Sequence, residues 1–216
     1  VSRSTRWTVV VLAVFAVLGV ALWRQLGDNQ TASGPAGRQA GQLNGARAHR
    51  DADTPAALAG PRAEAALPPC PAPQGGPGPG ALQGITVDCA ADGAPVDVAK
   101  ALAGRAVVLN LWAYWCGPCA DELPALAEYQ RRMGTRVTVV TVHQDENETA
   151  GLLRLADLGV KLPMLQDGRR LVAAALGVPN VMPATVVLRP DGSVAHVLPR
   201  PFTSADEIAS AVNSQW

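Results

Sequence analysis

Cys116 and Cys119 stand two residues apart in WAYWCGPCADELP, residues 112 to 124, and are the residues of the chain best suited to chemistry. The spacing allows one cysteine to attack a disulfide and the other to resolve the mixed disulfide that forms. The motif follows AVVLNLWA, residues 106 to 113, a continuous apolar run of the kind buried on both faces of a sheet. Beyond Trp115, Ala120, Leu123, Leu126, Ala127 and Gln130 recur at helical spacing, and Gly134 supplies a stop. The pair is therefore expected at a strand-to-helix junction. There the unpaired N–H groups and the helix dipole stabilise a thiolate on Cys116, and Cys119, one turn in, is more enclosed. A zinc site needs further ligands. The chain has no second C-x-x-C, and His49, His143 and His196 are scattered, so no metal and no cofactor is expected.

The elements needed to position this pair are legible on either side of it. ITVD, from Ile85, reads as a short strand that ends at Cys89, and RVTVVTV, residues 136 to 142, as a strand rich in β-branched residues. A helix is expected around Thr149 to Leu158, a short strand near Leu162 to Leu165 and a helix over about Arg169 to Leu176. ATVVLRPDGSVAHVL, residues 184 to 198, reads as two strands turning at Pro190-Asp191-Gly192. A last helix is expected from Ser204 to Val212, with Ser204 as N-cap and Glu207 three residues on. Helices alternating with apolar strands imply an α/β layered domain, and the hairpin makes its sheet mixed.

Upstream, WTVVVLAVFAVLGVALW, from Trp7 to Trp23, carries no charge, with Arg3 and Arg6 before it and Arg24 after. It would span roughly 26 Å as a helix, near the short limit for a bilayer. Residues 1–26 are expected to be a transmembrane anchor, with a cleaved signal peptide as the alternative. Either reading exports the rest of the chain. Residues 27–82, rich in Gly, Ala, Pro and Gln, are expected to form a flexible linker, and 83–216 the folded domain. The 18 Lys and Arg balance the 18 Asp and Glu with no basic block, which argues against nucleic acid as a partner.

WAYWCGPC resembles the active-site motif of thioredoxin-fold proteins, and VVLNLWAYWCGPCADELPAL is similar to the membrane-tethered, extracytoplasmic TlpA/ResA-type thiol–disulfide oxidoreductases. The resemblance covers about residues 83 to 214. It implies a thioredoxin fold with a mixed central sheet flanked by helices and a TlpA-type insertion at about 147 to 168. It makes Cys116 the attacking and Cys119 the resolving cysteine, with Trp115, Gly117 and Pro118 around them. Pro124 matches the proline that kinks the active-site helix, and Met182-Pro183 a cis-proline loop that lies against the cysteines and binds substrate backbone. Ordinary thioredoxins have a buried Asp six residues before the first cysteine; here the position holds Asn110, which cannot titrate. Glu122, three residues past Cys119, matches the glutamate of the TlpA/ResA branch and is expected to take the resolving thiol's proton.

The resemblance points to reduction of disulfide-containing proteins such as apocytochrome c, with electrons from a transmembrane thiol donor. A thiol oxidase or isomerase, a peroxiredoxin-like peroxidase and a tethered non-catalytic binding module are the alternatives. Cys70 and Cys89 complete an even count of four cysteines. In an oxidising compartment they are expected to pair as a structural disulfide, with a second redox pair as the rival reading. His143, at a strand end, is read as incidental.

Overall fold

The computed structural model describes residues 53–76 and 78–213. The apolar run at Trp7–Trp23 and the first part of the expected linker lie outside them. Among the described residues no helix is long and apolar enough to cross a membrane.

Seven strands form one mixed sheet. They are β1 (Thr86–Cys89), β2 (Pro95–Asp97), β3 (Val107–Trp112), β4 (Thr138–His143), β5 (Met164–Gln166), β6 (Ala184–Leu188) and β7 (Val194–Leu198), in spatial order β2-β1-β5-β4-β3-β6-β7. All six residues of β3 are buried, because this strand runs parallel to β4 on one side and antiparallel to β6 on the other. That position matches its unbroken apolar sequence. The helices are α1 (Pro55–Ala65), α2 (Val98–Leu102), α3 (Gly117–Met133), α4 (Glu148–Asp157), α5 (Leu171–Ala175) and α6 (Ala205–Val212). The fold is thioredoxin-like, and α4 and β5 follow β4 as a helix–strand unit.

Strand alternation divides the core into two layers. Val108, Trp112, Val139 and Val187 pack with Leu123, Leu126 and Tyr129 of α3 and with Ile208 and Val212 of α6. Leu109, Leu111, Val140, Val142 and Val186 face the other way, against Leu82, Leu102 and Val172. The same alternation sets Asn110 on the α3 side, in register with Thr185 of β6, and Trp112 beside His143 of β4.

The linker expectation needs correction over its second half. Residues 53–76 and 78–82 are built onto the domain. Thr54 caps α1 by accepting from Ala57 N, Pro55 opens it, and Leu58 and Ala65 are buried. Asp53 accepts from the Thr149 backbone N–H at 3.1 Å and so caps α4 from outside. Arg62 donates to Ala90 O at 3.1 Å and pairs with Glu148 at 3.0 Å, and Lys161 donates to Ala65 O. Leu82 is fully buried in the second layer. Low average hydrophobicity made the segment read as tether. Yet a narrow stripe of Leu58 and Ala65, seven residues apart, is enough to seat a helix that polar clamps also hold. The β2 strand and α2, between Ala94 and Ala103, are too short to carry a periodic signal.

Candidate active site

Cys116 and Cys119 are joined by a disulfide with Cα atoms 5.2 Å apart. Cys116 is the N-cap of α3 and its Sγ accepts from Cys119 N at 3.2 Å. The sequence builds this junction locally. The buried strand ends at Trp112, Cys116 N donates back to Ala113 O at 3.0 Å, and Pro118 fits the first helical turn, where a missing N–H costs nothing. Cys116 is 6% exposed and Cys119 is not exposed at all. Gly117 and Pro118 lie at the surface. A nucleophile therefore reaches Cys116 before Cys119.

Around the pair lies a partly apolar rim. Trp115 is 59% exposed and its indole Nε1 donates to Asp145 Oδ2 at 2.9 Å, which fixes the ring beside the cysteines. The Met182–Pro183 peptide is cis, Met182 packs against the buried cluster that contains both cysteines, and Val181 before it is exposed. Pro183 is buried.

Behind the pair, Glu122 is fully buried one turn further along α3. Asn110 Nδ2 donates to its Oε2 at 2.9 Å and Thr185 Oγ1 to its Oε1 at 3.5 Å, with a further hydrogen bond from the Phe202 backbone N–H. Burial outweighs these donors and the charge of Arg200, and pushes the carboxyl up to about 7. Asn110 thus occupies the strand position as a donor to Glu122. Thr185 and the Phe202 amide were missed in the sequence; a lone threonine in the buried run ATVVL was the available signal for the first. His143 is also part of this neighbourhood. It is fully buried, its ring centroid lies 4.9 Å from that of Trp112, and its Nε2 accepts from Tyr114 N at 3.4 Å.

Cys70 and Cys89 form the second disulfide, with Cα atoms 5.9 Å apart and a sequence separation of 19. It ties the segment after α1 to the end of β1. No group of three or more His, Cys, Asp or Glu side chains among the described residues is arranged to hold a metal.

Relatives share this arrangement in part. The thiol-disulfide oxidoreductase ResA of Bacillus subtilis is 32% identical over 105 residues, which are 48% of this chain and 58% of that protein. The chain thus spans little more than half the length of such curated relatives. A secreted Mycobacterium tuberculosis disulfide oxidoreductase homologous to E. coli DsbE has a similar structure, with a TM-score of 0.54 and 28% identity, over 62% of this chain and 97% of that one. A DsbF homologue from Corynebacterium diphtheriae gives 0.54 and 27%, over 62% of this chain and 85% of its own. The Redoxin family model matches residues 71–213, from the residue after Cys70 to the residue after the last helix, and the chain belongs to the Redoxin family.

Proposed function

We propose that the chain is a thiol–disulfide oxidoreductase that works outside the cytoplasm and reduces disulfides in proteins. The observation that carries this reading is the Cys116–Cys119 pair at the N-terminus of α3, open to an apolar rim on one side and backed by buried Glu122 on the other. In the reduced enzyme the Cys116 thiolate, favoured by the helix N-terminus, attacks a substrate disulfide and releases one substrate thiolate. Cys119 then loses its proton and attacks Cys116 Sγ. The second substrate thiol leaves, and two electrons have passed from the enzyme to the substrate. Glu122, with a pKa near neutrality, is matched to accept the Cys119 proton. Trp115, Val181 and the backbone at Met182 form the surface on which an extended substrate chain would lie.

The compartment and the direction belong to the same proposal. Residues 7–23 serve as the membrane anchor, electrons come from a transmembrane thiol donor, and apocytochrome c is one class of substrate. The names of the relatives support thiol–disulfide exchange. The Gly-Pro dipeptide between the cysteines matches reducing thioredoxins, near about −270 mV, rather than strong oxidants near about −120 mV. The test is an insulin-reduction assay together with the reduction potential of the pair. The reductase reading expects turnover that depends on Cys116 and a potential below about −180 mV. A higher potential assigns the chain to oxidation or isomerisation instead.

A further inference from the structure

The sequence gives His143 no role, but the structure sets it between the cysteine loop and the helix–strand unit formed by α4 and β5. It ends β4 with its side chain on the α3 face of the sheet, in register with Trp112. Four elements meet its ring. From β5, Gln166 orients it: Gln166 Nε2 donates to Asp145 O at 2.6 Å, so Oε1 is the atom that faces His143 Nδ1 at 2.9 Å. Nδ1 must therefore carry the proton and Nε2 the lone pair. That lone pair points at the Tyr114 backbone N–H, two residues before Cys116. From α4, Gly151 lies so close that a Cβ there would stand 2.9 Å from His143 Cε1. Trp112 and Tyr114 close the remaining sides, with ring centroids 4.9 and 6.1 Å away.

The geometry points to His143 as a positioning residue for the cysteine loop. Its neutral Nδ1–H form holds the Tyr114 amide and hence the turn that presents Cys116. Uptake of a proton turns Nε2 into a donor, removes that acceptor and releases the turn. The inference rests on the thiol-exchange reading for its consequence but not for its structure. It adds a fourth ionisation to those of the two cysteines and Glu122.

The surroundings set where that ionisation falls. Burial pushes the imidazole down from its ordinary value. The hydrogen bond to Gln166 and the carboxylates of Asp145, in the loop after β4, and Asp53, before α1, act in the opposite direction, and burial outweighs them. α4 meets the ring through Gly151, and its Glu148 is paired with Arg62. β3 and the cysteine loop contribute aromatic rings. His143 is thus neutral at neutral pH, and the strut lets go on acidification.

The experiment uses the reduced 216-residue chain and follows two quantities from pH 4.5 to 8. One is the Tyr114 amide resonance beside the His143 ring resonance, in the unsubstituted protein. The other is the rate at which iodoacetamide alkylates Cys116, in that protein, in His143→Gln and in Gly151→Ala. The Tyr114 amide is expected to shift with the same midpoint as the His143 ring, below that of a free histidine. On the acid side of that midpoint the alkylation rate should fall by a further factor of about five, the worth of one lost hydrogen bond. His143→Gln, which keeps an acceptor and cannot titrate, should lack that extra fall. Gly151→Ala, which displaces the ring, should show the loss at neutral pH as well. A Tyr114 amide that ignores the His143 titration overturns the inference, as does a His143 that takes up no proton in this range. Superimposable pH profiles for the unsubstituted chain and His143→Gln do the same. Alkylation and resonance need no substrate turnover, so a failed insulin assay would sink the reductase reading and leave this test standing.

Discussion

The two disulfides are alike at the bond and different in everything around it. In each, the backbone N–H of one cysteine donates to the sulfur of the other at 3.2 Å, from Cys119 to Cys116 and from Cys70 to Cys89. Cys116–Cys119 spans three residues at the start of a 17-residue helix, beside an exposed tryptophan and in front of a buried carboxyl group near neutrality. Cys70–Cys89 spans 19 residues and joins two segments that polar clamps already hold together. A local hydrogen bond to sulfur therefore does not tell the two apart. The helix N-terminus, the apolar rim and the buried carboxyl group of Glu122 do, and all three lie beside Cys116–Cys119.

The sharpest break in that comparison is predicted for Cys116→Ser against the double substitution Cys70→Ser, Cys89→Ser. The first should lower insulin reduction by at least about a thousandfold, since it removes the proposed nucleophile. The second should leave the rate per folded molecule within about twofold. Loss of activity in the double variant, at a temperature where its circular dichroism is native, would assign Cys70–Cys89 to the electron path.

Glu122→Gln comes next. If Glu122 is the proton acceptor proposed above, release of the reduced substrate should slow by about a hundredfold near pH 7, as is usual when general base assistance is removed. The same substitution should stabilise the oxidised protein at alkaline pH. The folded pKa, about 7, lies above the ordinary 4.5, so native Glu122 binds its proton more tightly than unfolded Glu122. Its contribution to stability is complete below about pH 4.5 and is lost as pH rises through 7. The difference is about 3 kcal/mol. Thermal melts at pH 4 and pH 8 check this: the variant should gain at pH 8 and not at pH 4. Equal shifts at both would remove the buried-charge account.

How much of this was open to sequence reading follows from the range of each interaction. The strand-to-helix junction that holds the cysteines and the β6–β7 turn are set by residues within one element or its neighbour, and both were visible. Glu122 was visible through its helical spacing and its family match. Its partners were not, because Thr185 lies 63 residues away and Phe202 further still, and only the sheet brings them together. His143 failed for the same reason: its meaning depends on Gln166 of β5 and Gly151 of α4, and alone it is one polar residue at a strand end. The segment from Asp53 to Leu82 failed differently. Its composition forecast a tether, but Asp53, Arg62 and the Ala65 carbonyl each find a partner between Glu148 and Lys161, and composition cannot register pairs.

The Cys70–Cys89 disulfide itself gives the third effect. Removing a bridge across 19 residues should lower stability by about 3 kcal/mol in the chain-entropy model. Urea unfolding of the Cys70→Ser, Cys89→Ser variant measures it. A loss below about 1 kcal/mol would show that Arg105, which donates to Ala72 O at 2.7 Å, and the clamps on α1 already hold the segment without the bridge.

The smallest expected effect concerns the clamp that works beside that bridge. Arg62 pairs with Glu148 in a site where the two side chains are only 16% and 8% exposed. Arg62→Ala removes the partner and leaves Glu148 buried, at a cost of about 2 kcal/mol when the carboxylate is ionised. Burial already raises the Glu148 pKa even with Arg62 present to lower it, so losing Arg62 raises it further. A raised folded pKa means that stability is retained below the unfolded value near 4.5 and lost as pH climbs through the folded one. The deficit in Tm should thus be largest at alkaline pH and nearly vanish at pH 4. Insulin reduction should be unchanged where the variant is folded, because Arg62 lies on α1 and touches neither Cys116 nor Cys119. A deficit independent of pH would mean that Arg62 acts through its hydrogen bond to Ala90 O, which no titration alters, rather than through its charge.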